Sequence, residues 1–182
     1  ALKAAGWATV EIELDLLEHA VAAGVVRLAS EALATFPPPL LAGIDPLVRA
    51  TLQYSMLFRA TTLVRADRVR AALRRSVVAA FDRCDVLAWP AVPAPAPPID
   101  DPTVELPSGP APADLGNLRQ AIVANLAGLP GISLPAGLAD DMPAGLQLLA
   151  PWGEEARLLD AAAHLERATD RAHVDAIPAI AR

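Results

Sequence analysis

Val10, Ile12 and Leu14 alternate with Glu11, Glu13 and Asp15, the two-residue period of a strand with one buried face. Trp7 leads into it. Beyond Leu16 the period becomes helical: Leu17, Val21, Val25, Leu28, Ala32 and Phe36 fall on or near one stripe. The prolines at 37–39 end that helix, because proline has no N–H to donate and restricts the residue before it. Asp45 followed by Pro46 reads as an N-cap and a first-turn proline, opening a helix to about Phe58. A longer helix is predicted from about Ala60 to Arg83. Val69, Leu73, Val77 and Phe81 form its buried face, while Arg65, Arg68, Arg70, Arg74 and Arg75 mostly take the solvent side, partly balanced by Asp67 and Asp82.

Asp85 to Trp89 reads as a short buried strand. The proline-rich segment 90–112 is expected to be an irregular or polyproline loop, since prolines can neither extend a sheet interior nor build a helix. A helix over about Ala113–Leu126 precedes two strands, Gly131–Pro135 and Gly145–Leu149, with the turn at Ala139–Pro143. Glu154 to about Ala168 is the last helix, acidic at its positive end, with Leu158, Leu159, Ala162 and Leu165 facing inward. The tail after Asp170 is expected to fray or dock weakly. Helices alternating with short apolar strands predict an α/β domain, a layered mixed sheet flanked by helices, over residues 1–182.

Composition narrows the classes. With 54% hydrophobic residues in 182, the chain can bury one sizeable core. No stretch reaches the roughly 18 uncharged apolar residues of a membrane helix. The net charge of −6 argues against a nucleic-acid surface, because phosphate binding relies on accumulated positive charge. Cys84 is the single cysteine, which excludes an internal disulfide and suits a reducing, cytoplasmic setting. His19, His164 and His173 are scattered, so no metal-ligand spacing arises.

No self-contained active site is legible. There is no Gly-x-Ser-x-Gly elbow, phosphate loop, dinucleotide fingerprint or zinc helix. Ser30, Ser55 and Ser76 fall within helical patterns, Ser108 lies in the proline-rich loop, and none has a base placed beside it by spacing. Ser133 is expected to alternate out of its strand, and Cys84 to be a small residue near a helix end. The prolines from 93 to 98 could bind a polyproline-reading module, but an ordered surface loop needs no such partner.

Four pieces in order carry a family resemblance. They are Asp45–Arg49 (DPLVR) with the arginine-bearing helix after it; Phe81–Leu87 (FDRCDVL) leading to Trp89–Pro93 (WPAVP); Asn125–Gly137 (NLAGLPGISLPAG); and Met142–Leu149 (MPAGLQLL). Together they resemble the carboxy-terminal part of the amidase signature family. The resemblance implies amide C–N hydrolysis by a serine nucleophile, a second serine and a lysine, without a cofactor. It places all three catalytic groups in a glycine- and serine-rich region that this sequence does not contain; Lys3 is its only lysine. No catalytic residue is therefore assigned here, and the chain is expected to be a truncation or one piece of a split enzyme.

Trp89, Pro90 and Asn125 are the expected pocket residues, because they stand at strand or helix ends where irregular backbone can meet a ligand. Asn125 reads equally well as a helix-terminating cap. Trp89 and Ala91 stand where the family usually has threonines, which removes hydroxyls and adds an indole. Leu118–Val123 offers no carboxylate for an amino-acid substrate, and Ala50 and Thr51 stand near a position where the glutamine-hydrolysing branch has arginine. Glutamine is thus a poor substrate candidate. The implied partners are an amino-terminal catalytic segment, in the same or a companion chain, and a small-molecule amide. The competing class is a non-catalytic scaffold or binding protein that keeps part of the fold and presents it to a partner, a reading that also allows self-association as a homo-oligomer.

Overall fold

The computed structural model describes residues 2–3, 5–36 and 38–168. Pro37, His173 and the tail lie outside the described residues. Helix α1 spans Leu17–Thr35, and a 3-10 turn at Pro38–Gly43 leads to α2, Pro46–Ser55, and α3, Ala60–Ala80. Strand β1 (Leu87–Pro90) is followed by a hairpin of β2 (Thr103–Leu106) and β3 (Gly109–Pro112). Then come α4 (Ala113–Ala127), β4 (Gly131–Ala139), β5 (Met142–Leu149) and α5 (Glu155–Ala168).

The main sheet has the order β1-β5-β4, and all its pairings are antiparallel. Side chains alternate across it, so one face carries Leu87 and Leu149, packed with Leu73 and Val77 of α3 and Ile122, Val123 and Leu126 of α4. The other face carries Ala88, Leu146 and Leu148, with Ile132 and Leu134 of β4, against Leu158, Ala162 and Leu165 of α5. Three layers result: helices α1, α3 and α4, then the sheet, then α5. The predicted α/β layering is present, with small antiparallel sheets where a mixed one was expected.

Local chemistry accounts for the element ends. Asp45 caps α2, its carboxylate accepting the Val48 N–H at 3.2 Å. Gly128 ends α4 at φ +71°, its N–H donating to Ala124 O at 2.8 Å. Asp140 and Asp141, at φ 51° and 60°, make the two-residue turn between β4 and β5, with the positive angles that suit the strands' twist.

Four expectations need correction, the first being Leu159, expected on the inward face of α5 but 60% exposed while Leu158, Ala162 and Leu165 are buried. Residues 7–14 do not form a strand: they keep the alternation, with Ile12 and Leu14 half-buried between exposed Glu11, Glu13 and Asp15, but no ladder includes them. The loop expected over 90–112 contains the β2–β3 hairpin at its end. Pro110 and Pro112 are two residues apart, so their missing donors fall on one side, and each strand of a two-stranded ribbon has a free side. Val104 and Leu106 supply the buried face, and α4 approaches so closely that a Cβ on Gly116 would lie 2.6 Å from Val104 Cγ2. Finally, α1 buries Ala20, Ala23, Gly24 and Ala29, while Leu17 and Leu28 of the predicted stripe are exposed. Small residues win because α1 packs tightly on α4; a Cβ on Gly24 would lie 2.4 Å from Ile122 Cγ1.

Candidate functional site

A cavity of about 1380 Å³ opens between residues 8–14, strand β1 and the facing sides of α4 and α5. Leu87, Ala88, Trp89 and Pro90 form one wall, Gln120 and Val123 another, and Arg157 with Ala161 come from α5. Charges of both signs stand around it: Glu11, Glu13 and Asp85 against Arg83, Arg119 and Arg157. Arg157 is held at the wall by Glu154 at 3.2 Å and Asp85 at 3.7 Å.

Trp89 is fixed by its strand. It faces Gln147 of β5 in register, and its indole Nε1–H donates to Gln147 Oε1 at 2.8 Å. The ring packs against the core of the α3–α4 face. Pro90 is exposed at the strand's end, and the next residue is pinned by Ala91 N–H donating to Gly145 O at 2.8 Å. Trp89 and Pro90 therefore share the cavity wall. Asn125 is exposed on α4 and is not among the cavity's lining residues; Gly128, not Asn125, terminates the helix.

The serines are committed elsewhere. Ser30 and Ser55 donate to Val26 O and Leu52 O at 2.7 and 2.6 Å, and Ser76 Oγ accepts the Asp15 N–H at 2.9 Å. Ser108 Oγ accepts from Arg119 Nη1 at 3.2 Å. None of these bonds reaches a base. Ser133 is exposed on β4, in register with Gln147. Cys84 lies in the cavity wall with its thiol pushed above its ordinary range, first by burial and then by the Asp85 carboxylate, against an opposing pull from Arg83. Among the described residues no group of His, Cys, Asp and Glu could hold a metal ion. His164 instead stacks on Trp7, with ring centroids 6.1 Å apart.

Two residues that sequence reasoning passed over stand out. Gln147 belongs to the motif at 142–149, but only the sheet register shows that it holds Trp89. Gln120 lines the cavity with its Oε1 buried and without a hydrogen-bond partner, and no local sequence signal marks it.

A three-layer α/β arrangement with these motifs at the ends of β1 and α4 and on β4 and β5 defines a hydrolase-like scaffold of the amidase type. The family comparison agrees, since the amidase family profile matches residues 1–159. The chain belongs to the amidase signature family. It is 43% identical over 115 residues to a glutamyl-tRNA(Gln) amidotransferase subunit of Thermus thermophilus, a match covering 62% of this chain and 22% of that protein. Among solved structures, one amidase superposes with a TM-score of 0.71 at 29% identity, over 87% of this chain and 37% of the other. A protein described with a vestigial complex bearing on the origins of an s-triazine catabolic enzyme superposes at 0.75 and 29% identity, over 91% and 38%. The chain thus spans about a fifth of the length of the curated relatives it matches. Among the described residues no helix is long and apolar enough to cross a membrane.

Proposed function

We propose that this chain is the carboxy-terminal portion of an amidase signature hydrolase and forms one wall of the channel in which an amide C–N bond is cleaved. The observation that carries this reading is the cavity beside β1, walled by Trp89 and Pro90 and bounded by residues that hold no nucleophile–base pair. In this reading a serine and a lysine relay come from an amino-terminal segment of the same or a companion chain. The serine oxygen attacks the carbonyl, the C–N bond breaks with protonation of the leaving ammonia or amine, and water then hydrolyses the acyl-enzyme. Backbone donors of that segment stabilise the tetrahedral oxyanion.

This chain's own contribution is shape and polarity. Trp89, locked by Gln147, presents an indole where a hydroxyl would favour a polar acyl group, so aryl and alkyl amides suit the wall better than glutamine. Asn125, at the exposed end of α4, would meet substrate only where the amino-terminal segment extends the pocket that far. A cytoplasmic setting fits the lone thiol, and the net charge of −6 weighs against a nucleic-acid surface on this chain. The scaffold reading draws on one observation: Tyr54, Met56 and Leu57 are 68, 69 and 72% exposed at the end of α2, an apolar patch of the kind that binds a protein.

Ammonia release from a panel of aryl and alkyl amides tests the proposal, measured with the 182-residue chain alone and joined to the amino-terminal segment. Activity in the joined protein only is expected. Activity in neither favours the scaffold.

A further inference from the structure

Most side-chain donors in the cavity wall are already engaged. Arg157 is paired with Glu154 at 3.2 Å and Asp85 at 3.7 Å, the exposed Arg83 donates to Glu11 O at 3.4 Å, and the Trp89 indole N–H is taken by Gln147. Two consecutive residues of α4 are the exception. Arg119 is half-buried in the wall, and its Nη1–H donates at 3.2 Å to the Ser108 hydroxyl, a neutral acceptor. No carboxylate pairs with it among the described residues. Gln120 lines the same cavity with its Oε1 buried and without a donor. A cation lacking an anion and an acceptor lacking a donor therefore stand side by side, their Cα atoms about 3.8 Å apart.

These two needs are complementary to one kind of ligand. A guanidinium offers paired N–H donors that a carboxylate accepts in two parallel bonds, and a buried carboxamide oxygen costs free energy until an N–H reaches it. A neutral alkyl or aryl group satisfies neither. The rest of the wall is largely apolar, with Leu87, Val123 and Ala161 lining the same space, so it suits a carbon chain between the two polar ends. The fold also fixes where the cation stands. Ser108 lies in the turn of the β2–β3 hairpin, and the hairpin is set on α4 by the buried Val104 and Leu106. The hydroxyl thus holds the guanidinium at the wall without neutralising it. Glu11 and Glu13, exposed on residues 8–14, disfavour an anion on their side of the cavity and so direct it toward α4.

We propose that Arg119 and Gln120 form a specificity site for amides that carry a carboxylate: the guanidinium binds the carboxylate, and Gln120 Oε1 accepts an N–H of the amide, across a linker of about two carbons. This inference rests on the function proposed above, whose alkyl amides it narrows to carboxyalkyl ones. The site belongs to α4; Ala50 and Thr51 of α2 are not among the cavity's lining residues. Glutamine fits it less well than succinamate, because its ammonium group would stand beside its carboxylate and against the charge of Arg119.

Steady-state kinetics of the chain joined to its amino-terminal segment test the site, comparing succinamate with butyramide, in which a methyl group replaces the carboxylate. Succinamate is expected to have a kcat/KM on the order of 10-fold higher, chiefly through KM, with the preference shrinking as salt rises. Arg119→Met is expected to erase the preference, and Arg119→Glu to turn it toward γ-aminobutyramide, a gain that misfolding could not produce. Gln120→Leu is expected to raise KM for both amides and leave their ratio as it was. Equal use of succinamate and butyramide by the unsubstituted protein overturns the site and leaves the hydrolase reading standing. That is the result to expect if a carboxylate of the amino-terminal segment occupies Arg119. A preference that survives Arg119→Met overturns the site in the same way. If neither amide is hydrolysed, calorimetric titration with succinamate separates the two readings. Binding that Arg119→Met weakens on the order of 10-fold keeps the site and counts against the hydrolase, while absence of binding removes the site.

Discussion

The indole N–H of Trp89 donates to the side-chain oxygen of Gln147 at 2.8 Å, joining two residues that face each other across β1 and β5. This bond sets how the indole of strand β1 stands in the cavity wall. Replacing Trp89 with Phe keeps an aromatic ring but strands a half-buried acceptor. A loss of about 1 kcal/mol in urea denaturation is expected, with Gln147→Leu in the Trp89→Phe background recovering part of it.

Close packing of α1 on α4 yields a second prediction. Because a Cβ on Gly24 would meet Ile122 at 2.4 Å, Gly24→Val is expected to destabilise the fold by ~1–3 kcal/mol, despite replacing a mid-helix glycine. Pairing it with Ile122→Ala opens room for the added methyls. A coupling of opposite sign in a double-mutant cycle checks the contact.

The turn after α4 is secured by a stack. Arg74 Cζ lies 4.0 Å from the ring centroid of Trp152, and Trp152 Nε1–H donates to Gly128 O at 2.7 Å. Arg70 Nε–H donates to Leu126 O at 2.9 Å, so α3 reaches two of the carbonyl-bearing ends through one arginine and one stacked pair. A coupling of about 0.5–1 kcal/mol between Arg74→Ala and Trp152→Ala is expected in thermal or urea unfolding.

Cys84 gives a pH signature. Burial and Asp85 hold its thiol above the ordinary value of 9.0, so the folded state keeps its proton where the unfolded chain loses it. The sign follows: this contribution to stability is complete below the ordinary value and is lost as pH rises from there through the folded value. Alkylation of native Cys84 by iodoacetamide should be slower than that of the unfolded chain at pH 8. Its rate should climb with a midpoint above the unfolded one.

Much of this architecture was legible in local patterns, and the gaps have physical causes. The glycine- and proline-marked run at 125–149 constrains the backbone at each step, so β4, β5 and their turn were readable, and Leu73 and Val77 four residues apart marked the buried face of α3. The face of α1 was misjudged because alanine and glycine carry little hydrophobic signal, while close approach of a neighbouring helix selects for them. The hairpin at 103–112 was hidden by prolines that an edge strand tolerates. Residues 10–15 have a strand's pattern, but pairing is a property of two segments, and among the described residues no second segment pairs with them. Of the three expected pocket residues, Trp89 and Pro90 meet at the cavity because one short strand carries both, whereas Asn125 sits on a helix whose exposed side could not be told from sequence spacing.

The central proposal is that the nucleophile of the proposed hydrolase lies outside these 182 residues. Treating the chain, alone and joined to the amino-terminal segment, with a serine-directed fluorophosphonate and mapping the adduct by mass spectrometry tests it most directly. The account predicts one adduct per molecule on a serine of the amino-terminal segment, blocked by an amide substrate, and none on Ser30, Ser55, Ser76, Ser108 or Ser133. A substrate-protected, stoichiometric adduct on any of those five would contradict it.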